Sequence, residues 1–349
     1  LAGGMKLMNA KGASAVLMDA HTGEVISLVS LPDFDPNNPP PAPISGDPAD
    51  SPLFNRAAQG NYELGSTYKL FTAAIAMETG IAGPNTLVDT KPLKWGSYRI
   101  NEFNNLRYGP FLSLTNVLVK SSNIGSARLA MEFGVEAQKS MFQMLGLLEP
   151  SPLEISEASA SHPQFPEKWS EIYAITISYG HGISATPLHL AAAYASLLNG
   201  GLKVTPTLIK GGTAADHLPV RLISERTSAS LRWMLRKVVT EGTAHLADAE
   251  GYYVAGKTGT AVKPNRVGGY DEERVISNFA AVFPAYEPKF ILVVTLDEPE
   301  DFVAGKPKRS AGWTAAPIAR EIILRIAPIL GMKPRYDHDD DAIAHLVEV

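Results

Sequence analysis

The chain is expected to fold as α+β: a five-stranded antiparallel sheet flanked by helices, with a mostly helical subdomain inserted in it. Three observations predict this. Two strand-like runs joined by a turn open the chain, a helical stretch fills its middle, and a helix, three strands and a last helix close it. Strands and helices are segregated along the chain, which argues against an alternating βαβ arrangement. With 349 residues, 45% of them hydrophobic, the chain can bury a sizeable core.

In order, residues 5–10 read as the end of a short helix, and Ala13–Ala20 and Glu24–Leu31 as two strands. The turn between them carries Gly23, which can take positive φ in a hairpin. From Pro32 to Pro52 the composition is that of a loop, with the extended tract Pro39-Pro40-Pro41. Residues 66–79 are the first strong helix, stopped by Gly80 and Gly83-Pro84. Leu114–Val119, Ile124–Phe133 and Glu136–Leu145 are further helical pieces, with Gly134 closing the second. An apolar run, Ile172–Ser178, leads into the turn Tyr179-Gly180-His181-Gly182. Pro187 opens a helix that runs to Asn199, and residues 224–241 form an amphipathic one. Tyr252–Ala255, Ser277–Phe283 and Phe290–Asp297 are rich in β-formers, and Pro317–Ala327 is the last helix. The sheet-containing part is expected over 1–63 and 201–332, the helical part over 64–200, and a tail over 333–349. The tail run His338-Asp339-Asp340-Asp341 reads as a solvated acidic segment and not as a metal site.

Several function classes are excluded by composition. A net charge of −5 offers no basic field for nucleic acid. The absence of cysteine removes disulfides and thiolate metal sites, and no apolar run reaches the roughly 18–20 residues of a membrane span.

Ser66 and Lys69 sit at the start of the first strong helix, one turn apart on one face. A hydroxyl there meets unpaired backbone N–H groups and the positive end of the helix dipole. A neutral lysine amine one turn on can take its proton, so the pair is a candidate nucleophile and base. Ser66 as an ordinary N-cap with Lys69 on the helix surface is the simpler reading when the pair stands alone. Residues 251–258 also satisfy the P-loop pattern G-x-x-x-x-G-K-[ST]. Their middle residues, Tyr252, Tyr253, Val254 and Ala255, suit a strand and not a phosphate cradle, and Pro264 follows where a helix is required. The same stretch therefore reads as Lys257-Thr258-Gly259 on an edge strand, offering a charge, a hydroxyl and room for a substrate to lie as an added strand. Ser121-Ser122-Asn123, between two helical pieces, is a capping sequence by itself. As a third wall it would supply a hydroxyl relay and an amide.

Ser66–Lys69, Ser121–Asn123 and Lys257–Gly259 match, in order, the S-x-x-K, S-x-N and K-T-G set of penicillin-binding proteins and class A β-lactamases. Over nearly its full length the chain resembles the class B penicillin-binding proteins. The resemblance is carried by Leu31–Asn37, Asn55-Arg56-Ala57, Tyr62–Lys69, Lys120–Asn123, Tyr179–Gly182 with Thr186-Pro187-Leu188, Lys257–Ala261 and Asp297-Glu298-Pro299. The Tyr-Gly-His-Gly stretch is most similar to the septal, cell-division member. Leu64, Tyr68 and the basic run 300–312 depart from many relatives.

The resemblance implies the transpeptidase fold and an acyl-enzyme on Ser66, with Lys69 as base, acting directly or through Ser121. Lowering a lysine from about 10.4 by roughly three units takes burial and a second cation, which Lys257 can supply. The backbone N–H groups of Ser66 and Thr260 would form the oxyanion hole, Asn123 would hold the substrate amide, and Lys257, Thr258, Gly259 and Thr260 its terminal carboxylate region. No metal or cofactor is expected. The implied substrates are peptidoglycan stem peptides, with β-lactams acylating Ser66 as donor mimics. The implied partners are a membrane glycan polymerase and other division proteins. The implied location is the periplasmic face of the inner membrane, with an N-terminal anchor and pedestal domain outside this chain. A D,D-carboxypeptidase and a serine β-lactamase share these motifs, and a penicillin-sensing or scaffold domain is the non-enzyme alternative.

Overall fold

The computed structural model describes residues 1–210, 218–264 and 269–336. Helix α1 (Ala2–Leu7) leads into the hairpin β1 (Gly12–Asp19) and β2 (Val25–Leu31). The middle of the chain holds α2 (Lys69–Glu78), the short strands β3 (Leu87–Asp89), β4 (Leu93–Trp95), β5 (Tyr98–Ile100) and β6 (Phe111–Ser113), then α3 (Leu114–Val119) and α4 (Asn123–Met144). It continues with α5 (Ser156–Ser159), α6 (Glu171–Ile177) and α7 (Pro187–Leu198). Helix α8 (Glu225–Thr240) precedes β7 (Ala255–Pro264), β8 (Tyr270–Phe283) and β9 (Phe290–Asp297). A small hairpin, β10 (Asp301–Val303) with β11 (Lys306–Lys308), and α9 (Ala315–Ile329) complete the order.

Five strands form one antiparallel sheet in the order β2-β1-β9-β8-β7, as the segregated element order predicts. Its central strand β9 is buried from Ile291 to Asp297, because α7 and α9 both pack against it. A strand buried on both faces reads as a continuous apolar run, which is how FILVVTLD looks in the sequence. β7 and β2 are the edges.

Most elements fall where residue patterns place them, including Leu114–Val119 and the division of α4 at Gly134, whose φ of 76° and ψ of 179° break the helix. One strand does not. The β-formers Tyr252–Ala255 were expected to be a strand, but the strand begins only at Ala255 and runs on through the Lys-Thr-Gly motif to Pro264. Positive φ at Gly251 (83°) and Tyr253 (47°) bends the chain there, so Tyr252 and Val254 fill the core from irregular backbone. The apolar run after Ile172 is helical, as α6. The run His338–Asp341 lies outside the described residues.

Candidate active site

Ser66 lies in a 3-10 turn, Gly65–Tyr68, that runs straight into α2. Sequence dictates how firmly this turn is held. The α2 positions Lys69–Ala76 are all buried, and Tyr68, Phe71, Phe142 and Tyr194 meet edge to face with centroids 5.1–5.9 Å apart. Tyr194 Oη donates to Thr67 O (2.9 Å), while Thr67 Oγ1 (2.9 Å) and Asn278 Nδ2 (3.2 Å) both donate to Leu64 O. The residues that depart from many relatives, Leu64 and Tyr68, are both fully buried in this support.

Close approach decides the small residues. A Cβ on Gly259 would lie 2.2 Å from Leu64 O, so only glycine lets β7 pass against the nucleophile turn. A Cβ on Gly180 would lie 2.0 Å from Gly65 O, which puts the Tyr-Gly-His-Gly turn directly behind Ser66.

The third wall is the junction of α3 and α4. Ser121 is held at φ 58°, and Ser122 caps α4 by accepting from the Gly125 N–H (3.0 Å). The buried carboxylate of Glu102 fixes this junction by accepting from Ser122 Oγ (2.5 Å) and Asn123 N (2.6 Å). Motif reading missed Glu102, because it stands 21 residues before Asn123 in a turn-rich stretch with no pattern of its own. A single acidic residue flanked by Asn101, Asn104 and Asn105 looks like any polar loop.

Lys69 and Lys257 converge on Ser121. Lys69 Nζ donates to Ser121 O (2.5 Å), Asn123 Oδ1 (2.7 Å) and Ser121 Oγ (3.2 Å). Lys257 Nζ donates to Ser121 Oγ (2.9 Å) and to Thr258 O (3.2 Å). Burial holds the Lys69 amine well below the usual lysine range, and the Lys257 charge lowers it further, against a smaller opposing effect of Glu102. Burial also brings Lys257 down to about 7. A neutral Lys69 has two N–H bonds and one lone pair. The two carbonyl oxygens can only accept, so they take the N–H bonds. The lone pair is left to accept from a hydroxyl, either Ser121 Oγ–H or Ser66 Oγ–H.

The remaining predicted residues surround this junction. Thr258 Oγ1 is hydrogen-bonded to Thr243 Oγ1 (2.9 Å), and Thr260 Oγ1 accepts from Ala311 N (3.0 Å). Asn123 Nδ2 donates to Asn101 O (2.9 Å), which leaves its second N–H for another acceptor. A cavity of about 410 Å³ opens beyond Ser66, between Phe103, Leu106, Tyr108 and Lys120 on the helical side and Thr243, His245, Thr258, Thr260 and Trp313 on the sheet side. The P-loop alternative has no geometry here. Gly256–Thr258 lies inside β7, and the Lys257 amine is bonded to Ser121.

The histidines stand apart from a serine triad. His181 Nδ1 lies 3.5 Å from Glu63 Oε2, and burial, then Lys69, lowers its pKa. His189 belongs to the N-cap of α7, with Nδ1 on Thr186 (2.7 Å) and Nε2 on Glu149 O (2.9 Å). Among the described residues no group of three or more His, Cys, Asp or Glu could hold a metal ion, and no helix is long and apolar enough to cross a membrane.

A buried lysine pair meeting at a serine, beside a helix-borne serine and an edge-strand Lys-Thr-Gly, defines a serine acyl-transfer site of one family. The family model described as the penicillin-binding protein transpeptidase domain matches residues 13–324, and the chain belongs to that family. Among individual relatives, it is 36% identical over 332 residues to the probable peptidoglycan D,D-transpeptidase FtsI of Caulobacter vibrioides, covering 93% of this chain and 55% of the relative. It is 32% identical over 327 residues to the peptidoglycan D,D-transpeptidase FtsI of Escherichia coli K12, covering 93% and 53%. The chain thus spans about half the length of the curated relatives it matches. Among solved structures, the apo transpeptidase domain of Burkholderia pseudomallei penicillin-binding protein 3 superposes with a TM-score of 0.81 at 28% identity, covering 96% of this chain and 93% of that one. Mycobacterium tuberculosis penicillin-binding protein 3 in complex with aztreonam gives 0.80 at 27% identity, covering 95% and 76%.

Proposed function

We propose that this chain is the catalytic domain of a septal peptidoglycan D,D-transpeptidase, cross-linking stem peptides through an acyl-enzyme on Ser66. The observation that carries the chemistry is the junction of Lys69, Ser121 and Lys257 at one hydroxyl. Ser66 Oγ attacks the carbonyl of the donor's penultimate residue, and its proton passes to Lys69, directly or through Ser121. The oxyanion rests on the N–H groups of Ser66 and Thr260, where one such donor is worth about 10²–10³ in rate. Collapse breaks the amide bond, and the leaving amine takes a proton from the Lys69–Ser121 pair. An acceptor amine then attacks the ester carbon, and Ser66 Oγ leaves and is reprotonated. Lys257, Thr258 and Thr260 hold the donor's terminal carboxylate, and Asn123 its amide. The donor lies along β7 as an added strand.

The septal role is supported by the FtsI relatives and by the Tyr179–Gly182 stretch. Periplasmic placement and contact with a membrane glycan polymerase and other division proteins follow from the same likeness. A β-lactam fits as a donor mimic, in keeping with the aztreonam complex of a structural relative. A β-lactamase needs a carboxylate free to activate water. The buried carboxylate near this site, Glu102, has its oxygens on Ser122 and Asn123. The test is Ser66→Ala: covalent labelling by a fluorescent penicillin should vanish while the circular dichroism spectrum is kept. Labelling that persists would refute the assignment. Adding an amine acceptor to a donor-peptide assay separates a transpeptidase, which forms the new amide, from a carboxypeptidase, which only hydrolyses.

A further inference from the structure

We propose that the cavity beyond Ser66 is the acceptor subsite, and that Lys120 and Lys308, on its two walls, bind a carboxylate carried by the incoming acceptor. This rests on the transpeptidase reading and extends it to the second substrate.

The position follows from the reaction. Attack on the acyl carbon reverses departure from it, so the incoming amine uses the side from which the leaving amine went. The donor's terminal carboxylate belongs to the leaving residue, and its binding residues Thr258 and Thr260 line this cavity. At about 410 Å³ the space is far larger than one alanine fills, and within the range of sites that hold a whole small ligand.

The charge follows from what is paired and what is not. The chain is acidic overall, with a net charge of −5, yet unpaired cations stand at this mouth. Lys120 lines the cavity from the helical side, exposed at the end of α3. On the sheet side, Lys308 Nζ lies 5.5 Å from the ring centroid of Trp313, which lines the cavity. Among the described residues neither lysine makes an ion pair, nor does Lys306 on the same hairpin. Neighbouring charges are satisfied: Arg309 by Glu300 at 2.6 Å, and Glu241, the acid of the lining, by Lys237 at 3.0 Å. Two unpaired ammonium groups across an aromatic-walled cavity select an anion, and the planar carboxylate of an amino-acid acceptor is the anion the reaction brings there. The interior Lys257 already serves the donor, so the outer pair serves the other strand.

No new bond type is involved. The acceptor amine attacks the ester carbon, its proton goes to the Lys69–Ser121 pair, and the Ser66 C–O bond breaks. The carboxylate only positions the amine.

The experiment uses an N-acyl-D-alanyl thioester as donor and compares D-alanine with D-alaninamide as acceptors at equal concentrations of free amine. The readout is amide product relative to hydrolysis of the same acyl-enzyme. The expected result is a preference for D-alanine that falls about fivefold in the Lys120→Gln, Lys308→Gln double variant, shrinks with added salt and is kept in Lys308→Arg. Equal use of the two acceptors by the unmodified protein, or an undiminished preference in the double variant, would overturn the subsite alone. A donor role for the two lysines would appear as slower acylation by a thioester with a terminal carboxylate than by one without, at unchanged acceptor choice, and also overturns it. No acyl-enzyme by intact mass, from thioester or penicillin, would overturn the transpeptidase reading and the subsite with it.

Discussion

At the scale of single residues, the site is built on charges in places that disfavour them. Lys69 is 1% exposed and Lys257 fully buried. The folded protein releases the Lys257 proton near pH 7, whereas the unfolded chain holds it to about 10.4. Between those values the unfolded state binds more protons, so stability rises with pH across that window. At pH 7 the unfavourable contribution is of the order of 4 kcal/mol. Lys257→Met should therefore raise the unfolding free energy at pH 7 by roughly 2–4 kcal/mol and flatten the rise from pH 7 to 10, while removing penicillin acylation. Denaturant titrations at pH 7 and 9 check this; equal midpoints for variant and parent at pH 7 would contradict it. The sequence shows the two lysines through their motifs. It does not show Glu102, whose place under Ser122 and Asn123 is a tertiary contact between a loop and a helix cap.

At the scale of elements, periodicity and punctuation reveal most of the architecture, because Gly and Pro stop helices wherever they fall. The helix break at Gly134 and the Pro187 start of α7 are of this kind. Hydrophobicity misleads at Tyr252–Val254, where burial is real and extended structure is not. Composition reports that residues enter a core; only pairing partners make a strand. Contacts between elements are not visible in a single sequence either, and Gly180 is the clearest case. Its φ of 88° and the 2.0 Å approach of a Cβ to Gly65 O make Gly180→Ala doubly unfavourable. A loss of about 2–4 kcal/mol and a slower acylation rate are expected, since the displaced backbone carries Ser66. Gly80→Ala, with φ of 73° but nothing within 4 Å of its Cβ, should lose only about 1 kcal/mol and keep the rate. Urea midpoints and penicillin-labelling kinetics on both variants make the comparison.

At the scale of the molecule, the helical middle and the sheet share one hydrophobic core. A single cluster takes in Val16 of β1, Phe71 of α2, Phe142 of α4, Leu235 of α8, Val293 of β9 and Ile323 of α9. Two lobes with separate cores would unfold in two steps; this arrangement calls for one. Far-UV circular dichroism and tryptophan fluorescence should give superimposable urea transitions, and midpoints that separate would show independent lobes. The overall class is legible because the element order is segregated, while the packing of α2 beneath the sheet-borne motif depends on contacts far apart in the chain.

The edge position of β7 has a cost of another kind. A strand whose outer side is kept open for a peptide is equally open to a strand from another copy of the same chain, the usual beginning of edge-to-edge aggregation. A lysine on an edge strand, directed inward, is a common obstacle to such pairing. Lys257 on β7 is in that position. The buried charge that lowers the stability of each molecule thereby helps to keep the molecules apart, and a variant chosen for greater stability at this residue would have to be watched for association.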